Sequence, residues 1–152
     1  DNTDAEGRLT LADALCYACE LGVDEVIDLA TLTGACVVAL GTNAAGIMGN
    51  DETLVKNLIS TADRSGEKYW ELPLWDEYFD SLKSDIADMK NTGSRWGGAS
   101  TAGVFLQKFV KDVKWAHIDI AGVAYLEKPQ QEFIKGATGA GVRTLLNYIL
   151  EQ

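Results

Sequence analysis

The chain is 152 residues long, and 13 Lys and Arg against 23 Asp and Glu leave it ten negative charges in excess. No basic face is available to neutralise phosphates, which argues against nucleic acid or an anionic membrane as partner. With 47% hydrophobic and 24% charged residues it is expected to fold, as one domain, and its longest mostly apolar stretch, around Ala30 to Leu40, falls well short of the roughly 20 residues of a membrane span.

The opening string, DNTDAEGRL, has no initiating Met and no signal segment, and reads as a piece of something longer. Leu11, Ala12, Leu15, Ala18 and Cys19 then recur at helical spacing, and with Gly22 as a stop they predict a helix over about 10–21. Val26 to Ala30 is a short apolar run that predicts a buried strand ending at Thr31-Leu32-Thr33-Gly34. A brief helical turn from Ala35 to Leu40 closes at Gly41, and a second strand is expected at about 43–49. Asp51 is placed to cap the helix implied by Leu54, Val55, Leu58, Ile59 and Ala62, with Gly66 stopping it. Leu72-Pro73-Leu74 reads as an extended connector into an amphipathic segment near 75–82, and the stretch from Ser84 to Gly98 as a long loop. A helix through Val104 to Phe109, a strand from Trp115 to Ile120 and a last helix from Val142 to Leu150 complete the chain. Strands alternating with helices predict a layered α/β/α architecture with a mostly parallel sheet, and binding groups just past the strand ends.

The densest chemistry is Asp4-Ala5-Glu6-Gly7-Arg8. Read as an extended segment, it would put the side chains of Asp4, Glu6 and Arg8 on one face, and two carboxylates side by side call for a cation between them. Spacing alone favours the plainer reading, a solvated acidic turn with Arg8 in a surface ion pair.

The strings NTDAEGRL, LADAL, DLATLTGA, ALG and HIDIAG, spread over the whole chain, resemble the C-terminal part of the catalytic domain of the leucyl aminopeptidase family, the M17 metallopeptidases. The resemblance implies two divalent ions, Zn²⁺ or Mn²⁺, about 3.5–4 Å apart, which supply a metal-bound water to the peptide carbonyl. It implies that Asp4 is one carboxylate ligand and that Glu6 bridges both ions. Arg8 would hold a bicarbonate that serves as general base. Thr31, Leu32 and Gly34 would line the pocket for the substrate's N-terminal residue, Leu32 and Gly34 through backbone groups, with Ala121 and Ala124 as further wall. A leucine-like preference, peptide substrates, a cytoplasmic setting and a homo-hexameric parent follow from the same resemblance. The family's other ligands, a lysine and two aspartates, and its catalytic lysine precede NTDAEGRL, so residues 1–152 are expected to carry part of the metal site, to lack the N-terminal domain, and to be inactive alone. The reading from another class is a non-catalytic homologue serving as scaffold or binding protein.

Other signals favour plain roles. Cys16 and Cys19 form C-x-x-C on a helix face without a second pair and read as buried small hydrophobes, and the odd count of three cysteines fits a reducing compartment rather than a disulfide framework. His117, the single histidine, reads as a structural strand residue. Gly136 to Gly141 lacks the ending of a phosphate loop and reads as a helix-entry loop. Asn91 to Gly98, rich in glycine and carrying Arg95 and Trp96, fits either a substrate lid or a solvated turn.

Overall fold

The computed structural model describes residues 3–129 and 134–151. Helix α1 (Thr3–Glu20) leads into β1 (Glu25–Ala30), α2 (Gly34–Leu40), β2 (Ala45–Gly49), α3 (Glu52–Arg64) and the short β3 (Tyr69–Glu71). A 3₁₀ helix (Asp76–Leu82) follows, then α4 (Gly98–Gln107), β4 (Lys114–Asp119), the two-residue strands β5 (Tyr125–Leu126) and β6 (Gly136–Ala137), and α5 (Val142–Leu150).

Four strands form one sheet in the order β1-β4-β2-β3. β1 runs parallel to β4 and β2 parallel to β3, while β2 and β4 are antiparallel, so the expected mostly parallel sheet contains one reversal. Alternation along the strands divides the interior in two. Ile47, Ala116 and Ile118 pack against Leu54, Val55, Leu58 and Ala62 of α3 and Tyr148 of α5. On the opposite face Trp115 packs with Ala12 and Leu15 of α1, Phe105 and Leu106 of α4 and Leu82 of the 3₁₀ helix. The result is the expected α/β/α layering, with β4 shared by both cores.

Local signals explain most boundaries. Asp51 accepts the Leu54 N–H at 2.8 Å and opens α3, Thr33 accepts the Cys36 N–H at 3.0 Å and opens α2, and Gly66 leaves α3 in the left-handed region at φ +75°. The 3₁₀ helix occupies the segment read as amphipathic near 75–82, and β3 is an element that the sequence reading did not contain. Its three residues, Tyr69, Trp70 and Glu71, are too few to show a period, and they form a strand because β2 offers a parallel edge.

The larger correction concerns α1. The helix predicted from about residue 10 begins at Thr3, so Asp4, Glu6 and Arg8 stand on a helix and not on an extended segment. Ala5, Arg8, Ala12 and Leu15 are all buried, a stripe at helical spacing that continues the Leu11 to Cys19 pattern back towards the N-terminus. Arg8 therefore occupies a position where an apolar residue is normally found, which hid the stripe. Asp4 and Glu6 in the first turn complement the helix dipole, and Gly7 is tolerated inside the helix at a cost of about 0.5–1 kcal/mol.

Candidate functional site

Parallel β1 and β4 end side by side, and the segments that follow them, 31–34 and 120–124, are knitted together by Asp119 at the end of β4. This side chain is fully buried. Its Oδ1 accepts the N–H groups of Leu32 and Ala121, each at 3.1 Å, and its Oδ2 accepts the Thr33 hydroxyl at 2.7 Å. Thr33 in turn caps α2, so one carboxylate sets the course of both loops and the start of a helix. Beside it Cys36 donates to the Asp119 carbonyl at 3.7 Å, and burial, followed by the negative charge of Asp119, pushes its thiol up to about 11. A thiol held protonated in this way is neither a nucleophile nor a metal ligand near neutral pH.

Helix α1 delivers the acidic motif to the same place. The Asp4 Oδ2 accepts the Gly34 N–H at 3.3 Å, joining the first turn of α1 to the loop after β1. Four residues on, Arg8 lies on the same side of the helix, only 5% exposed. Its Nη1 donates to the Asn91 carbonyl at 2.8 Å, and Asn91 Nδ2 donates to the Ala5 carbonyl at 3.1 Å. Burial lowers the pKa of the Arg8 guanidinium from its ordinary value, and the charges of Asp4 and Asp119 work against that shift. Its Nε has no hydrogen-bond partner among the described residues.

Glu6 is placed differently. Two residues on a helix are about 200° apart, so Asp4 and Glu6 diverge instead of sharing one face as the extended reading had it. Both nevertheless border one cavity of about 460 Å³, lined also by Leu11, Ala14, Ala30, Thr31 and Leu32. Asp4 also borders a second cavity of about 130 Å³, together with Arg8, Thr33, Ser94 and Arg95. Of the wall residues expected from the sequence, Thr31 is exposed, Leu32 buried and Gly34 exposed beside Asp4. Ala121 is tied to Leu32 through Asp119. Ala124 lines neither cavity; its carbonyl accepts the Thr138 N–H at 3.0 Å.

Asp4 and Glu6 are oxygen donors of the kind that suits a divalent cation. They are two donors only, and no group of three or more His, Cys, Asp or Glu among the described residues could hold a metal ion. The described residues thus do not close a metal site by themselves.

The remaining signals resolve as structure. His117 is fully buried in β4, its Nδ1 2.5 Å from Asp28 Oδ1, while Asp28 Oδ2 accepts the Trp115 Nε1–H at 2.6 Å. The two thiols read as buried are half-buried, and both point at the Phe109 carbonyl beyond α4. Gly136 to Gly141 holds β6 and leads into α5, as a helix-entry loop would. On the α5 side of the sheet, a separate cavity near Tyr69, Thr138 and Arg143 contains Glu67, whose carboxylate accepts the Gly141 N–H at 2.9 Å and the Thr144 hydroxyl, capping that helix.

Sequence reading missed Asp119, Thr33 and Asn91. An acid inside the apolar run Trp115 to Ile120 is a usable signal, since an unpaired charge is not buried without partners. Nothing local marks Asn91, whose partners on α1 lie 83 and 86 residues away.

Comparison with known proteins places the chain in a family. A family model described as the cytosol aminopeptidase family, catalytic domain, matches residues 1–146. A protein named probable cytosol aminopeptidase from a Cyanothece species is 56% identical over 150 residues, 99% of this chain and 30% of the relative, and one from a Synechococcus species is 59% identical over 150 residues, 99% and 29%. Among solved structures, a mutant of tomato leucine aminopeptidase superposes with a TM-score of 0.93 at 49% identity, covering 99% of this chain and 29% of that one. The chain thus spans about 30% of the length of the curated relatives it matches. It belongs to the cytosol aminopeptidase family, within the catalytic domain.

Proposed function

We propose that this chain is the part of a leucyl aminopeptidase that shapes the substrate cavity and contributes Asp4 and Glu6 to a pair of divalent ions, Zn²⁺ or Mn²⁺, completed by residues outside the 152. The observation that carries the reading is the meeting of Asp4, Arg8 and the Thr31–Gly34 loop at the ends of β1 and β4, where Asp4 accepts the Gly34 N–H.

When bound, such ions activate water and stabilise the oxyanion of peptide hydrolysis. The chain's own residues have distinct tasks. Asp4 and Glu6 border a cavity that Leu11, Ala14 and Leu32 also line, so a peptide that places a leucine-sized side chain on those three brings its amine end next to two carboxylates. Burying a side chain of that size is worth about 1.5–3 kcal/mol. Leu32 and Gly34 present backbone groups whose positions are set by Asp119 and Asp4, and Ala121 follows Leu32 through the same carboxylate. Arg8, buried and with Nε lacking a described partner, offers N–H donors to a small oxyanion such as bicarbonate beside Asp4. Residues 1–152 alone, with two carboxylate donors, are expected to be inactive. The relatives' name, cytosol aminopeptidase, fits a cytoplasmic setting, and no helix among the described residues is long and apolar enough to cross a membrane. A homo-hexameric parent belongs to the same reading.

The test is hydrolysis of a leucyl anilide by the full-length parent, stripped with chelator and titrated with Mn²⁺ or Zn²⁺, beside its Glu6→Ala variant. Metal-dependent turnover that the variant loses supports the reading. A parent that turns over with neither metal is a non-catalytic homologue, and the scaffold reading replaces this one.

A further inference from the structure

The loop between the 3₁₀ helix and α4 is fastened to the helix that carries the acids. The Asn91 carbonyl accepts a hydrogen bond from Arg8 Nη1 and its side-chain amide donates to the Ala5 carbonyl, so the loop is anchored within one turn of Asp4 on α1. Further along, Ser94 Oγ accepts the Trp96 N–H at 3.2 Å and donates to the Trp96 carbonyl at 3.1 Å. Gly97, at φ +64°, makes the left-handed step into α4 that a side chain would resist. The turn so formed presents Arg95 with its guanidinium 5.3 Å from the centre of the Trp96 ring.

Arg95 borders the same cavity as Asp4, Arg8 and Thr33. Among the described residues it has no carboxylate within ion-pair distance, although acids outnumber bases by ten in this chain. A guanidinium offers a planar fork of N–H donors matched to a carboxylate, and stacking on an indole leaves it fewer orientations to lose on binding. The lining of this cavity thus carries one carboxylate, Asp4, and two guanidinium groups, Arg8 and Arg95, a balance that favours an anionic guest.

We propose that Arg95 receives the C-terminal carboxylate of short peptides, so that the Asn91–Gly97 loop selects dipeptides and tripeptides by the distance between their charged ends. The inference rests on the aminopeptidase reading and deepens it, since Asp4 borders both the cavity read as taking the amine end and the one that Arg95 lines. Arg95 is on this view a specificity residue and takes no part in bond breaking.

The experiment compares kcat/KM for leucylglycine and leucylglycine amide with the metal-loaded full-length enzyme, its Arg95→Gln and Arg95→Lys variants, and Trp96→Ala. The expected result is a preference of about tenfold for the free acid, the scale of a charge-assisted hydrogen-bonded pair at a partly screened site, expressed mainly in KM. Arg95→Gln brings the acid-to-amide ratio close to one, Arg95→Lys and Trp96→Ala retain part of the preference, and salt weakens it in the wild type. Using the ratio within each variant cancels any general loss of activity. Hydrolysis of both substrates at equal efficiency by the wild type, or an undiminished ratio in Arg95→Gln, overturns the inference while leaving the aminopeptidase reading in place; hydrolysis of neither by the wild type overturns that reading, and this inference with it.

Discussion

Asp119 shows how one buried charge ties two loops together. Its two oxygens accept three hydrogen bonds from three residues in two loops, and each bond to a charged acceptor is worth about 1.5–3 kcal/mol. Asp119→Asn keeps the shape but replaces one acceptor oxygen with a donor facing donors. We expect it to lower unfolding stability by at least about 2 kcal/mol in a urea titration and to loosen the Leu32 and Ala121 segments together. Asp119→Glu, with charge but the wrong reach, should not restore it. A second residue sets a pH limit. Tyr69 is buried on β3, and desolvation, with Glu67 beside it, pushes its phenol up to about 12 against a hydrogen bond from Thr144 that lowers it. The folded state therefore holds this proton more tightly than the unfolded chain, whose phenol ionises near 10. Its contribution is whole below pH 10 and is lost as the pH rises through about 12. Thermal unfolding followed across that window should show a falling Tm, and Tyr69→Phe should flatten the fall.

At the scale of elements, the turn after β4 is held by close approach as well as by hydrogen bonds. Gly122 lies between Ala121 and the rest of the 120–124 segment, and a Cβ built there would meet the carbonyl oxygen of Gly41, the residue that closes α2, at 2.2 Å. Gly122→Ala must part the two segments. The expected cost is about 1–3 kcal/mol, the range of overpacked interiors, with a matching drop in Tm by calorimetry. Elements whose signals are local were legible in the sequence. The α3 helix shows its apolar stripe, its Asp51 cap and its glycine stop within a span of residues that touch one another. The start of α1 was not legible, because the residue that continues its inward stripe is Arg8, and a buried arginine is accepted only where Asp4, Asp119 and the Asn91 carbonyl surround it. β3 was missed for a similar reason: its strand character is lent by β2.

For the molecule as a whole, the two cores lie on opposite faces of one sheet and share β4, whose Ala116 and Ile118 face α3 and α5 while Trp115 faces α1 and α4. Loss of either core strips β4 of one side, so the two should fail together. Trp115 is fully buried, whereas Trp70, Trp75 and Trp96 are exposed, so the change in tryptophan fluorescence on unfolding reports mainly the α1 and α4 side. Far-ultraviolet circular dichroism reports the helices of both sides. In a denaturant titration of the 152-residue chain the two signals should follow one transition with one midpoint; separated midpoints would show that the layers unfold independently.

The sequence by itself determined what is written in neighbouring residues and in composition: the α/β alternation, the Asp51 cap and the glycine stops, the acidic balance, the family strings, and the identity of Asp4, Glu6 and Arg8 as the chemically dense motif. Only the tertiary structure decided how those residues stand. Helical geometry sends Asp4 and Glu6 in different directions while keeping Asp4 with Arg8. Asp119 joins the loops after β1 and β4 across 87 residues, and Asn91 fastens the Arg95 loop to α1 across 83. Periodicity carries information over a few residues and a hydrogen bond acts over about 3 Å, so contacts between segments that far apart in the chain exist only after the sheet has paired β1 with β4.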